Sequence, residues 1–502
     1  MSSDKLKILL INPLLAPKRL PAVYNIGLAY IASSLLQEGH HVSVLDIEGH
    51  RYADDHVIEI IKQSDCDVIG IGTLITGYRR AKWLVKTIRL LKPGIPIWIG
   101  NSISSSIPEI ILTDMDVDVA VIGEGENTVK ELAEGIMKNR NLHSVKGIAF
   151  REDGRIIRNE DRELISDIDA IPFPAWDLFP QEIFMNNKAG HLPTPTAYIV
   201  TTRGCPYQCT YCYHPFQNER IRMHSSQRIV DEVKYLRKRY GIRSFVFADD
   251  LFVVNKKRVY EICDLFHKEQ INLQWITSAR VNLVDEELLY AMKEAGCIAL
   301  GFGVESGSQK ILDNIKKNVT VEQARIAIEL CKKVGINPVC SYMIGNVGET
   351  RDTIFETVSF IRENTLEQGA SFFITTPYPG TEIYELAKQA GKIKDEVALF
   401  ESYGEQSESL LVNLTDLPNE TLLNLKREAE DQIWRAHKRK YPLKYIVSRF
   451  EIILGIYKLY GFWVTIFKLM SFIRNKLKHD KRDATKIAND EIKKSIDISK
   501  HT

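Results

Sequence analysis

The sequence predicts an α/β protein of two successive units with a helical end: an N-terminal doubly wound parallel sheet, flavodoxin-like, then a partial (β/α)6 barrel of TIM-like curl. Three observations predict it. Five short apolar runs alternate with amphipathic stretches from Lys5 to Lys138, six more alternate with helices from Thr196 to Tyr378, and beyond about residue 400 the pattern turns helical. These changes divide the chain into residues 5–140, a linker over 141–194, the barrel over 195–400, a helical region over 401–480 and a charged tail over 481–502.

In the first unit the strands are KILLI, HVSVLD, DVIGI, IPIWIG and DVAVIG, with helices over Ile26–Gln37, Tyr78–Leu91 and Thr128–Lys138. Ligands of such sheets sit beyond the carboxyl ends of the strands. Those ends carry Asn12-Pro13, Gly72-Thr73, Gly100-Asn101-Ser102 and Gly123-Glu124-Gly125-Glu126. Glycine there lets backbone approach a ligand, although tight turns alone would use the same residues. A nicotinamide dinucleotide is the natural competitor, and Asp46 stands where a ribose-binding acid belongs. The first turn excludes it, because NPLLAPKRLPAVYNIG has no G-x-G-x-x-G to bring a pyrophosphate to a helix N-terminus.

The linker holds a hairpin, KGIAFREDGRIIRN, turning at Asp153-Gly154, and the proline-rich IPFPAWDLFP. The barrel strands are TAYIVTT, SFVFADD, LQWITSA, IALGFGVES, PVCSYMIG and ASFFITTPY, with the site expected at their carboxyl ends.

Composition narrows the function. Hydrophobic residues at 44% and charged residues at 26% are globular values, which exclude wholesale disorder and a polytopic membrane protein. Lys+Arg at 66 against Asp+Glu at 65 gives a net charge of +1, so no nucleic-acid partner is expected. MSSDKLKILLINP shows no export signal, which predicts a cytoplasmic chain with reduced cysteines. Between Tyr441 and Lys478 aromatic and aliphatic residues mix with basic ones, and Lys458 and Lys468 interrupt any uncharged span of membrane length. Either an amphipathic helix lying peripherally on the inner membrane face or a helix pair packed on the barrel fits that segment.

The sharpest signal is TTRGCPYQCTYC, with Cys205, Cys209 and Cys212 in one short loop after the first barrel strand. Three soft ligands without an obvious fourth suit a 4Fe-4S cluster that leaves one iron open. Structural zinc, with His214 as fourth ligand, is the metal alternative, but the usual second ligand pair is missing. Cys66, Cys263, Cys297, Cys331 and Cys340 are isolated in apolar surroundings and read as small buried hydrophobes.

C-x-x-x-C-x-aromatic-C, with Tyr211 as the aromatic, after the first strand of a six-stranded partial barrel resembles the radical S-adenosylmethionine (SAM) enzymes. FADDLF, with Asp249 and Asp250, resembles their SAM amino-group element. ITSARVN, with Ser278 and Arg280, ends the third strand, and GFGVESGS, with Glu305 and Ser306, resembles the ribose-contacting fourth. SYMIGNVGET, with Ile344, Gly345 and Glu349, is similar to the adenine motif. A doubly wound domain ending in VIGEGENT and joined through IPFPAWDLFP to such a barrel resembles the cobalamin-binding class of that family, over roughly residues 5–400. The resemblance implies cobalamin contacts at Thr73, Gly100, Asn101, Gly123, Glu124, Gly125 and Glu126. D-x-H-x-x-G is missing, and His40 and His41 read as surface residues, so a bound cobalamin is expected base-off without a protein histidine.

The family chemistry implied is reductive cleavage of SAM at the open iron to a 5'-deoxyadenosyl radical, with methylcobalamin delivering a methyl group to an unactivated carbon and a second SAM restoring it. The expected partners are a small-molecule or lipid-like substrate and an electron donor such as flavodoxin or ferredoxin. Oxidative cyclisation, as in ring-forming pigment enzymes of the class, is the alternative, and modification of RNA or protein is a further one. No catalytic residue outside the cluster loop is assigned.

Overall fold

The structure, a computed structural model, describes residues 5–15, 24–138, 140–186, 192–213, 221–403 and 409–447. Strands β1 (Lys7–Asn12), β2 (His41–Asp46), β3 (Val68–Gly72), β4 (Ile97–Gly100) and β5 (Val119–Val121) run parallel in the order β2-β1-β3-β4-β5. Alternation along each strand sends its two faces to different layers. Leu9, Ile11, Ile69 and Ile99 pack with Tyr78, Leu84 and Ile88 of helix Tyr78–Leu91. Leu10, Gly70 and Trp98 face helix Ile26–Gln37 across a cavity instead.

Two expectations change here. The hairpin placed in the linker forms β6 (Ile148–Glu152) and β7 (Arg155–Arg158), and β6 pairs antiparallel with β5, giving a seven-stranded sheet. It covers the edge β5 would otherwise leave unpaired. The proline-rich stretch after it buries Trp176 and Phe179, and Phe184 just beyond is buried too. His40 is likewise not a surface residue: it is buried, and its Nδ1 accepts the Leu6 amide at 3.3 Å. His41 is exposed.

The second sheet holds β8 (Thr196–Ile199), β11 (Ser244–Phe247), β12 (Gln274–Ala279), β13 (Cys297–Glu305), β14 (Asn337–Ile344) and β15 (Phe372–Ile374), all parallel and in chain order. β8 and β15 are its two edges, so the barrel stays open. β9 (Thr202–Arg203) and β10 (Arg222–Met223) form a separate antiparallel pair. Register aligns Ser278, Gly301 and Val339 across one row and Gly303 with Ser341 across the next. Glycine in these rows leaves room for side chains beside it, Ser278 next to Gly301 and Glu305 and Lys317 next to Gly303.

Past β15, helices Glu382–Gln389 and Glu396–Ser402 return to the first sheet, where Tyr384, Phe400 and Tyr403 join its core. The Phe400 and Tyr78 rings are 5.5 Å apart, and Lys82 Nζ lies 2.8 Å from Glu401 Oε1. Helix Asn419–Lys440 follows, burying Leu422, Leu425, Ala429 and Ile433. The chain divides after His437, and both sheets belong to the first unit. In the second, Lys438–Val447 is described, where Lys444 lies 5.5 Å from the Tyr441 ring. Among the described residues no helix is long and apolar enough to cross a membrane. The amphipathic segment predicted over 441–478 lies outside the described residues from 448 onward.

Candidate active site

β9 feeds directly into Gly204, at φ +88°, and then the cysteine loop. Cys209 is 5% exposed, and Cys205 and Cys212 are half-buried. Arg280 lies over the Tyr207 ring at 3.6 Å, donates from Nη1 to Cys209 Sγ at 3.5 Å and from Nη2 to the Lys317 carbonyl. Lys317 Nζ donates to Tyr211 Oη and to Glu305 Oε1, each at 2.9 Å, and Tyr211 Oη donates to the same carboxylate at 3.0 Å. The hydrogen bond with Cys212 holds the Cys209 thiol well below its ordinary range against the cost of burial, with Lys317 and Arg280 adding to the effect. The same bond raises Cys212. Burial raises Cys205, so Cys209 is the position of the three where the surrounding charges favour thiolate, the form that binds a cluster iron. Among the described residues no three His, Cys, Asp or Glu side chains converge as a single ion requires, whereas a cubane takes its cysteines at separate corners. His214, the fourth ligand of the zinc alternative, lies outside the described residues.

Glu305 sits at φ +67°, where β13 shifts register against β14. A β-carbon on Gly303 would stand 2.2 Å from Glu305 Oε1, so only glycine leaves room for this carboxylate. Tyr211, Arg280 and Glu305 therefore converge on the cluster loop. Asp249 does not: Thr201 N, Thr202 N and Thr201 Oγ1 donate to its two oxygens, the Thr202 bond at 2.9 Å. Its neighbour Asp250 is exposed, lines the cavity described below and has no hydrogen-bond partner among the described residues. Ser306 is fully buried, 3.0 Å from Thr357 Oγ1. Glu349 accepts the amides of Gly345 and Asn346, and burial pushes its carboxyl up to about 7. Gly345, at φ +92°, makes that turn, and Ile344 is buried. Ser278 is exposed in the row with Gly301.

Lys317, Tyr207, Thr201 and Arg258 had no signal in the sequence. Lys317 reads as a loop charge yet is 7% exposed. Arg258 donates to the carbonyls of Thr201 and His224 at 2.9 Å, and burial lowers it to about 10. Of the five remaining cysteines, Cys263, Cys297 and Cys331 are buried, and Cys66 and Cys340 half-buried.

One cavity of about 630 Å³ joins the strand ends of the first sheet to those of the barrel. On the first side its wall includes Gly72, Gly100, Asn101 and Gly123–Glu126, and on the other Thr202, Arg203, Gly204 and Asp250. β-Carbons on Gly70, Gly72 and Gly125 would come within 2.7–2.8 Å of Leu10, Leu28 and Ile31, which line the same cavity. Side chains there would drive those neighbours into the space, so the glycines form a cradle that suits a large flat ligand with an apolar rim. Thr73 lies behind this wall, buried, its Oγ1 donating to the Leu74 carbonyl at 3.3 Å. Leu74, missed in the sequence, is 44% exposed and lines the cavity. The carboxylates of Glu124 and Glu126 are engaged by Arg203 and Arg222. Asp46 accepts from Asn12 and caps the short helix Ile47–His50, which leaves no ribose acid at that strand end.

Residues 199–361 match the radical SAM superfamily, and residues 15–133 match the B12 binding domain. An uncharacterized methyltransferase of Pyrococcus horikoshii is 34% identical over 364 residues, covering 72% of this chain and 78% of the relative. Cytidylyl-2-hydroxyethylphosphonate methyltransferase of Streptomyces wedmorensis is 30% identical over 450 residues, with coverage of 78% and 84%. The hopanoid C-3 methylase of Methylococcus capsulatus is 25% identical, with coverage of 74% and 70%. The fold is shared with the cobalamin-dependent SAM radical enzyme OxsB, at a TM-score of 0.69 and 19% identity over 94% of this chain and 76% of that one. With both domains matched in this order and relatives of 30% identity or more aligned over most of their length, the chain belongs to the cobalamin-dependent radical SAM enzymes, whose cofactors are a 4Fe-4S cluster, SAM and cobalamin.

Proposed function

We propose that the protein methylates an unactivated carbon of a small apolar or lipid-like substrate, with Cys205, Cys209 and Cys212 holding the cluster and the glycine cradle holding base-off cobalamin. The observation that carries this reading is a cavity lined both by the first sheet's strand ends and by the stem of the cysteine loop. When bound, these groups supply one-electron reductive cleavage of SAM and transfer of a methyl group carried on cobalt.

The chain's own work is placement. Arg280 and Lys317 bring positive charge to the cluster loop, and Glu305 and Lys317 fix Tyr211 within it. Asp249 ties the turn between β8 and β9, leaving Asp250 as the acid available to a SAM amine. Ser278, the backbone at Gly345 and the Ile344 turn held by Glu349 would receive the nucleoside. Val339 and Phe373, 49% and 50% exposed on barrel strands, supply apolar surface for the substrate, consistent with a relative that is a hopanoid methylase. A water-excluding site of this kind works by position, since a misplacement of about 1 Å can cost on the order of a hundredfold in rate.

Anoxic purification with iron, sulfide and corrin analysis tests the two cofactors separately. Product mass then separates methylation, which adds a methylene equivalent, from cyclisation, which does not. A flavodoxin- or ferredoxin-type donor and membrane contact through residues 441–478 complete the reading. Equal recovery on floated liposomes of the full chain and of a chain ending near Tyr441 would remove the membrane contact.

A further inference from the structure

The segment Gly123-Glu124-Gly125-Glu126 plays two parts. All four residues line the cavity, where Gly123, at φ +78°, donates its amide to Ser105 Oγ at 3.0 Å. Its acids are engaged by the barrel. Arg203 bridges them, Nη1 at 2.8 Å from Glu124 Oε1 and Nη2 at 2.6 Å from Glu126 Oε1. Arg222 Nη1 reaches both oxygens of Glu124 at 2.8 Å and the Ile165 carbonyl at 2.9 Å, while the Ile165 amide donates to Glu124 Oε2 at 2.8 Å. The side chains of Glu124 and Glu126 are 5% and 8% exposed.

The two arginines face each other across the β9–β10 pair. β9 runs straight into Gly204 and Cys205, so the stem of the cluster loop is the element these acids grip. The domains do not need the grip to stay together, because Tyr384, Phe400 and Tyr403 already anchor the returning chain in the core of the first sheet. Buried ion pairs add little net stability over apolar packing, and a fixed geometry is what they are best placed to supply. A bidentate guanidinium spanning two carboxylates is especially directional.

We propose that Glu124, Glu126, Arg203 and Arg222 form a positioning latch that fixes the stem of the cluster loop against the glycine cradle, and so sets how the cluster and the corrin face each other. This rests on the reading that the cavity takes cobalamin on one side and the cysteine loop takes the cluster on the other. The four residues are positioning residues; the latch acts through β9.

The test uses the full chain loaded anoxically with iron, sulfide and hydroxocobalamin. Arg222→Lys keeps the charge but replaces the fork with a point donor, and Arg222→Gln removes the charge, both at a residue that does not line the cavity. Both variants are expected to keep wild-type iron and corrin content. Their cob(II)alamin electron paramagnetic resonance signal, recorded with the cluster reduced, is expected to lose the single spin-coupling pattern of the wild type. In the cofactor-free chain, hydrogen exchange at the β9–β10 amides is expected to rise on the order of tenfold or more. An unchanged coupling pattern with unchanged exchange overturns the latch. Joint loss of iron and corrin with a lowered melting temperature overturns it as well, since the ions would then serve only to hold the fold. Wild-type protein that binds no corrin or no cluster sinks the functional reading instead, and the exchange measurement on the cofactor-free chain still decides whether the stem is latched.

Discussion

Across the cavity the two walls are made differently. At the ends of β3, β4 and β5 the surface is backbone and small side chains, Gly72, Gly100, Gly123 and Gly125, held open because a β-carbon at 72 or 125 would strike Leu28 or Ile31. On the barrel side, shape comes from polar side chains that hold one another: Arg280 on Tyr207 and Cys209, Lys317 between Tyr211 and Glu305, Asp249 under Thr201 and Thr202. A ligand whose affinity comes mainly from fit needs the first kind of wall, and a reactive centre that must be oriented and kept charged needs the second. The two should fail in different ways.

The largest effect is expected at Cys209. Cys209→Ala should abolish cluster assembly and SAM cleavage together while leaving corrin binding in place, which iron, sulfide and corrin assays on one sample would reveal. Retention of both cluster and cleavage would refute the site. Gly72→Val addresses the opposite wall. Overpacking against Leu28 costs about 1–3 kcal/mol, and where Leu28 relieves it by moving into the cavity the same energy weakens cobalamin binding by roughly fivefold to 150-fold, with iron content unaffected. Equal loss of cluster and corrin in that variant would show that the walls are not independent.

Glu232, on helix Ser226–Tyr240, lies at the back of the junction. Both of its oxygens are buried without a hydrogen-bond partner among the described residues, and so are the hydroxyls of Tyr24 and Tyr30. Burial pushes the Glu232 carboxyl up to about 8 from its ordinary 4.5. The folded chain therefore keeps a proton that the unfolded chain gives up from about pH 4.5 upward, so stability falls as pH rises through that window and levels off above about 8, by ~1.4 kcal/mol per unit at most. Glu232→Gln should remove the fall, and melting curves of the two proteins from pH 5 to pH 9 should diverge steadily. Parallel curves would mean that the carboxyl is solvated.

How much of this the sequence carries depends on the range of the interaction. Cys205, Cys209 and Cys212 lie within one loop, so their chemistry is written in consecutive residues. The six barrel strands are equally legible, since alternation of apolar residues is local. The pairing of β6 with β5 was not, because a hairpin looks the same whether it stands alone or completes a sheet edge. Nor was Lys317, whose role depends on Glu305 and Tyr211 from two other elements. The acids of VIGEGENT were found for their strand-end position, yet their partners Arg203 and Arg222 are some 80 to 100 residues away, and nothing local says that arginines from another strand pair will take up those carboxylates.

Asp249 and Asp250 pose the same problem at its smallest scale. Adjacent residues at a strand end point to opposite sides, and FADDLF cannot say which acid faces in, because the deciding groups are Thr201 and Thr202 on a different strand end. Asp249→Asn removes the charge that two backbone N–H groups meet at Oδ1 and forces the Thr201 hydroxyl to turn from donor to acceptor, and should cost about 1–3 kcal/mol of stability. Asp250→Asn leaves every observed hydrogen bond intact, so its melting temperature should stay at the wild-type value. If Asp250 receives the amine of SAM, its loss should weaken SAM binding by roughly tenfold to a hundredfold, the value of one charge-assisted hydrogen bond. Equilibrium binding of SAM to the cluster-loaded protein measures the second effect and thermal melting the first. Were Asp249→Asn to lower SAM affinity at unchanged stability while Asp250→Asn did nothing, the buried acid would be the ligand, and the barrel wall would rearrange around its cofactor instead of standing ready for it.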